Sequence, residues 1–139
     1  MTPVPHQASC VALAGRGVLI EGPPGSGKSS LALALIDRGA TLVGDDGILI
    51  EQRDGRAWAL PPPNIQGLLE VRNVGLITLP ASPAPICLVL RLDPAAPRYV
   101  ETAEAVELAG ASLPLIRLWP DSAILALRAE QALALHGTD

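Results

Sequence analysis

The sequence predicts an α/β domain in which a mixed sheet carries one buried helix behind a glycine-rich loop and a second helix near the C-terminal end. Three observations predict it. Short segments rich in Val, Ile and Leu alternate with Gly and Pro punctuation. An octapeptide, Gly22-Pro23-Pro24-Gly25-Ser26-Gly27-Lys28-Ser29, lies between a strand-like and a helix-like segment. The 139 residues are 49% hydrophobic and 17% charged, enough for one buried core, so residues 1–139 are expected to form a single domain. Phe is absent and the only aromatics are Trp58, Trp119 and Tyr99, so that core must be aliphatic.

Taken in order, Val18 to Glu21 reads as a buried strand entering the glycine-rich turn. Ser29 to Arg38 reads as a helix closed by Gly39. Its run Leu31-Ala32-Leu33-Ala34-Leu35-Ile36 is apolar nearly all round and predicts burial. Thr41 to Val43 reads as the second strand of a strand–helix–strand unit, and Gly47 to Gln52 with Arg56 to Leu60 as a hairpin about Asp54-Gly55. Leu69 to Arg72, Leu76 to Leu79 and Ile86 to Leu92 are further strands, with Val106 to Leu108 and Leu115 to Leu118 as short edge strands. Asp121 or Ser122 is expected to cap a last helix from about Ala123 to Leu135.

A net charge of −4 argues against general binding to nucleic acid or anionic membrane, both of which need clustered Lys and Arg. The longest apolar runs fall far short of the roughly 20 residues that span a bilayer. The N-terminal Met-Thr-Pro-Val-Pro-His lacks the basic start and apolar stretch of a signal peptide, which predicts a cytoplasmic protein. Cys10 and Cys87 match no metal spacing and read as buried thiols.

Gly22 to Ser29 satisfies G-x-x-x-x-G-K-[ST] in full. Glycines let successive N–H groups approach phosphate oxygens, and the following helix turns its positive dipole end toward the same anion. Lys28 is expected to act as a point charge on the outer phosphates of ATP and Ser29 to ligate the bridging magnesium. Parallel strands of a strand–helix–strand unit end on the edge where the helix begins, which brings Asp45 and Asp46 to the phosphates. One carboxylate of that pair would hold magnesium and the other take a proton. Gly44-Asp45-Asp46-Gly47 also has the composition of a solvated turn, and Asp93 and Glu70 are competing carboxylates. His6 alone is a residue near a terminus.

Gly17 to Ser29, followed by Leu35-Ile36-Asp37-Arg38-Gly39-Ala40-Thr41-Leu42-Val43-Gly44-Asp45-Asp46, closely resembles the HPr kinase/phosphorylase family, including its spacing from loop to acidic pair. Leu69-Glu70-Val71-Arg72-Asn73-Val74-Gly75 resembles the second signature of that family, E-[IV]-R-G-x-G. The resemblance implies a phosphate-loop kinase fold similar to phosphoenolpyruvate carboxykinase. It further implies an ATP- and magnesium-dependent kinase that phosphorylates a serine of the phosphocarrier HPr, or of its nitrogen-related counterpart, and can reverse the step with inorganic phosphate. By the same resemblance Lys28 contacts the transferring phosphate, and Ser29 with Glu70 holds magnesium. One of Asp45 and Asp46 is the base, with Asp46 the first choice, and His6 supports that aspartate. The resemblance also implies a homo-oligomer, a hexamer as in full-length members of the family.

This chain departs from the pattern at two places. Asn73 replaces a glycine, and Leu118-Trp119-Pro120-Asp121-Ser122 stands where longer members carry an arginine-containing P-G-R-N loop, with Arg117 the nearest arginine. The loop also suits two other readings, a nucleotide-dependent regulatory binder without catalysis and a small-molecule kinase, for which only Arg91 and Arg98 stand in the middle region.

Overall fold

The computed structural model describes residues 2–139. Its strands are β1 (Val4–His6), β2 (Ser9–Leu13), β3 (Arg16–Glu21), β4 (Thr41–Gly44), β5 (Ile48–Arg53), β6 (Arg56–Leu60), β7 (Leu68–Val71), β8 (Gly75–Thr78), β9 (Ala84–Leu92), β10 (Glu104–Leu108) and β11 (Ala111–Leu118). The helices are α1 (Lys28–Asp37) and α2 (Leu125–His136). Nine strands form one curled mixed sheet in the order β1-β5-β6-β9-β3-β2-β4, with β11 also on β9 and β10 on β11. The sheet forks at β9, whose first residues pair antiparallel with β6 and whose last four pair parallel with β11. β7 and β8 form a separate two-stranded ribbon lying against α1.

Side chains of β3 alternate between two cores, as the period of a strand requires. Val18 and Ile20 pack with Leu31 and Leu35 of α1, Leu88 and Leu90 of β9 and Ala129 and Leu133 of α2. Leu19 faces the other way, with Val89, Ile48, Ile50, Leu113 and Leu115. Full burial of each large aliphatic chain stabilises the fold by about 1.5–3 kcal/mol, so this central strand is held from both faces. No residue from Leu31 to Ile36 is exposed, which fits the expected burial of α1.

Four expectations change. Leu115 to Leu118 is no short edge strand: it is the end of the eight-residue β11, which lies between β9 and β10. β1 and β2 were not foreseen. β4 is parallel to β3 but not beside it, because β2 lies between them and runs antiparallel to both. The edge logic survives, since β3 and β4 still end on the same side. α2 begins at Leu125 with no side-chain cap on its first turn, because the Ser122 hydroxyl accepts the Ile124 N–H at 3.2 Å, one residue before the helix. The expected C-terminal glycine of α1 is present: Gly39 has φ of 112°, with Gly39 N–H bonded to the Ile36 carbonyl and Ala40 N–H to that of Leu35.

Three hairpins turn on a pair of left-handed residues: Ala14-Gly15, Asp54-Gly55 and Ala109-Gly110. This is the turn geometry that matches strand twist. Cys10 and Cys87 are buried free thiols, and burial pushes the Cys10 thiol far above its ordinary range. Among the described residues no helix is long and apolar enough to cross a membrane.

Candidate active site

The loop Gly22–Ser29 joins the end of β3 to the start of α1 and forms one wall of an open cleft of about 800 Å³. Asp45 and Asp46, directly after β4, stand on a second side, and Glu70 and Arg72 of the β7–β8 ribbon on a third. The sequence-predicted loop, acidic pair and Glu70 are therefore brought together.

The loop has the features of an anion cradle. Gly25 and Gly27 hold φ of 79° and 100°, and a Cβ on either would meet nothing within 4 Å, so their backbone is open to a ligand. Gly22 is needed for closeness instead, since a Cβ there would stand 2.5 Å from Ser26 Oγ and 3.2 Å from Leu92 Cβ. Ser26 Oγ is itself buried with no hydrogen-bond partner. Lys28 Nζ donates to the Gly22 carbonyl at 2.7 Å and the Pro23 carbonyl at 3.3 Å. Among the described residues no carboxylate pairs with it. α1 starts at Lys28 with no side chain capping its first N–H groups, which are left for a phosphate.

The two aspartates differ sharply. Asp45 is 7% exposed and is the hub of the site. Its Oδ1 accepts the Ser29 hydroxyl at 2.6 Å and the Ser9 hydroxyl at 2.9 Å, and its Oδ2 accepts the Glu70 N–H at 3.2 Å. Asp46 is exposed to the cleft, with φ of 58°, and its N–H reaches Ser9 Oγ at 3.4 Å. Ser9 is a site residue that sequence reading missed, because it sits in the unforeseen β2 and no motif marks it.

Magnesium fits the donors present. The Ser29 hydroxyl, Asp45 and Glu70 are hard oxygen donors that line the same cleft. Among the described residues no group of three or more His, Cys, Asp or Glu is spaced to hold a metal by itself. A cation here would complete its shell with phosphate oxygens and water, the usual habit of magnesium.

His6 is placed elsewhere than expected. Its Nε2 bonds Glu21 Oε2 at 2.9 Å, and Arg91 holds the other oxygen of Glu21 at 2.8 Å. His6 makes no hydrogen bond to Asp45 or Asp46, although its backbone pairs with Ile48, two residues beyond Asp46. The His6 hydrogen bond and the Arg91 guanidinium hold the Glu21 carboxyl below its ordinary range, against the opposing effect of burial. Asp93 lies outside the cleft: it accepts the Ala95 N–H and pairs with Arg117, which Glu104 grips as well.

Residues 3–82 match the family described as HPr Serine kinase C-terminal domain. The HPr kinase/phosphorylase of Streptococcus thermophilus is 36% identical over 118 residues, covering 75% of this chain and 38% of that protein. The HPr kinase/phosphorylase of Clostridium novyi is 48% identical over 67 residues, covering 48% of this chain and 22% of its own length. The chain thus spans well under half of these relatives. Among solved structures, the Hpr(Ser) kinase/phosphatase from Coxiella burnetii superposes with a TM-score of 0.83 at 26% identity, over 94% of this chain and 88% of that one.

Proposed function

The chain belongs to the HPr serine kinase C-terminal domain family, and on that premise we propose that it is an ATP- and magnesium-dependent serine kinase acting on the phosphocarrier HPr or its nitrogen-related counterpart. In this reading the 139 residues work as one catalytic unit in the cytoplasm, on a core of the phosphoenolpyruvate carboxykinase-like type. The observation that carries it is the intact phosphate loop sharing one cleft with the exposed carboxylate of Asp46.

Each side chain then has one task. Lys28 leaves the Gly22 and Pro23 carbonyls for the outer phosphates, a short move because its ammonium already lies on the loop. Ser29 and Glu70 would hold magnesium, with Asp45 fixing the Ser29 hydroxyl; the bound ion supplies neutralisation of phosphate charge. Asp46 takes the proton of the substrate serine as its oxygen attacks the terminal phosphorus, and the bond to the departing ADP oxygen breaks. In the phosphorylase direction an oxygen of inorganic phosphate attacks the phosphorus of phosphoserine, the serine O–P bond breaks, pyrophosphate forms, and Asp46 returns the proton to the serine oxygen.

One observation favours a second reading, a nucleotide-dependent binder without catalysis: His6 rests on Glu21 and leaves Asp46 without side-chain support. The test is transfer of labelled γ-phosphate from ATP to purified HPr-type carrier with magnesium present, alongside a measurement of ATP affinity. Label on a carrier serine supports the kinase. Tight ATP binding with no label on any carrier moves the assignment to the binder.

A further inference from the structure

Among the described residues only two polar or charged side chains are buried, Ser9 and Asp45, and they are bonded to each other. Asp45 serves the cleft through Ser29. Ser9 is fully buried and does not line the cleft, so a nucleotide bound there does not touch it. A hydroxyl out of water costs free energy that an alanine of nearly the same size would avoid, yet the fold keeps one beside the acidic turn.

A break in strand register puts it there. Ala12 faces Thr41 and Val11 faces Leu42, but Cys10 faces Gly44, so Val43 is an extra residue in β4. Continued by one position, the shifted register brings Ser9 opposite Asp45; without the bulge it would meet Gly44. The turn that follows is tight, since a Cβ on Gly44 would stand 2.7 Å from the Gly47 carbonyl oxygen and 2.7 Å from Ile48 Cγ2. Within that turn Asp46 holds φ of 58°, a conformation an aspartate tolerates but does not favour. Among the described residues the Asp46 N–H bonds only Ser9 Oγ, at 3.4 Å.

The direction of these bonds is fixed. A carboxylate only accepts, so the Ser9 proton goes to Asp45 Oδ1 at 2.9 Å and the lone pairs of the same hydroxyl face the Asp46 N–H. Asp45 Oδ1 also accepts the Ser29 hydroxyl. One chain of contacts therefore runs from Ser29 at the head of α1, through Asp45 and Ser9, to the backbone of Asp46. We propose that Ser9 is a positioning residue for phosphoryl transfer: it ties the Asp46 backbone to the Ser29–Asp45 pair and so aims the Asp46 carboxylate at the acceptor hydroxyl. A displacement of about 1 Å in a reacting group costs about a hundredfold in rate, and here it would leave the nucleotide's own contacts in place. This inference rests on the reading of Asp46 as the base.

The experiment measures single-turnover transfer of labelled γ-phosphate from ATP to an HPr-type carrier, with ATP affinity alongside, on the full chain with magnesium. Wild type is compared with Ser9→Ala, Asp46→Asn and the double variant, at a temperature where urea midpoints show all four to be folded. Ser9→Ala is expected to lose roughly tenfold to a hundredfold in rate while its ATP affinity stays within about twofold of wild type. In the double variant Ser9→Ala should add less than about twofold to the loss caused by Asp46→Asn, because a residue that acts through the Asp46 carboxylate then has nothing left to aim. A merely structural serine would lower the rate by the same factor in both backgrounds. The assignment of Ser9 is overturned if Ser9→Ala transfers at the wild-type rate, if rate and ATP affinity fall together, or if the two losses multiply. If wild type transfers no label, or Asp46→Asn transfers as fast as wild type, the reading of Asp46 as the base falls, and this inference with it.

Discussion

Replacing Asp45 by Ala removes the acceptor of three hydrogen bonds at once, from Ser29, Ser9 and Glu70. The position is 7% exposed, so solvent takes over little of the work. A hydrogen bond to a charged group is worth about 1.5–3 kcal/mol net, but the two hydroxyls can turn to other partners and the variant no longer keeps a carboxylate out of water. The Glu70 N–H cannot turn. We therefore expect a loss of about 2–4 kcal/mol, a large share of the roughly 5–15 kcal/mol that holds a domain together. With a urea slope of about 2 kcal/mol/M, the midpoint should fall by roughly 1–2 M at unchanged slope. Asp46→Asn is the control, because Asp46 is exposed and asparagine tolerates its left-handed backbone; its stability should lie within about 0.5 kcal/mol of wild type. The reasoning is refuted if Asp45→Ala unfolds at the wild-type midpoint, or if the two substitutions cost the same.

Glu21 has its carboxyl pKa lowered in the folded state, first by the His6 hydrogen bond and then by Arg91, from an ordinary value of 4.5. The stability this confers is present above that value and is lost as pH falls through the lower folded value, so urea midpoints of wild type and Glu21→Gln should differ near neutrality and converge as the pH falls below the ordinary carboxylate range. Midpoints that stay equally separated down to acid pH would show that ionisation of Glu21 is not the cause. Ala109 sits at φ of 49° in a hairpin turn, a conformation that asparagine adopts with less strain; Ala109→Asn should raise stability by about 0.5–1 kcal/mol, and a fall in melting temperature contradicts this. Ser26→Ala deletes a buried hydroxyl that has no partner, so nucleotide-free protein should gain about 1 kcal/mol in urea unfolding, whereas a loss would mean that the hydroxyl is bonded in solution.

The phosphate loop was legible because its chemistry demands fixed residue types at fixed spacing, and α1 because its capping glycine and apolar run carry local signals. β1 was hidden by two prolines in Thr2-Pro3-Val4-Pro5, and β2 by the Ala14-Gly15 turn, which lacks the Asn or Asp that marks such turns in a sequence. The prediction that Asp45 and Asp46 reach the loop survived the insertion of β2 because it needed only the direction of β4, not its neighbour. What separates the two aspartates is burial, and burial depends on Ser9 and Glu70 arriving from distant strands, which no pattern near residue 45 records. His6 shows the converse: strand pairing brings its backbone close to the acidic turn, but its ring turns to Glu21, which already carries Arg91.

The central claim is that the phosphate loop and Asp46 act on one phosphate together. Its most direct test is the single-turnover rate of phosphoryl transfer to an HPr-type carrier by wild type and Asp46→Asn, at saturating ATP and magnesium. The expected result is a rate lower by about 10²–10⁴-fold in the variant, with ATP affinity and urea midpoint unchanged. Equal rates in the two proteins, or transfer that survives Lys28→Ala, would contradict it.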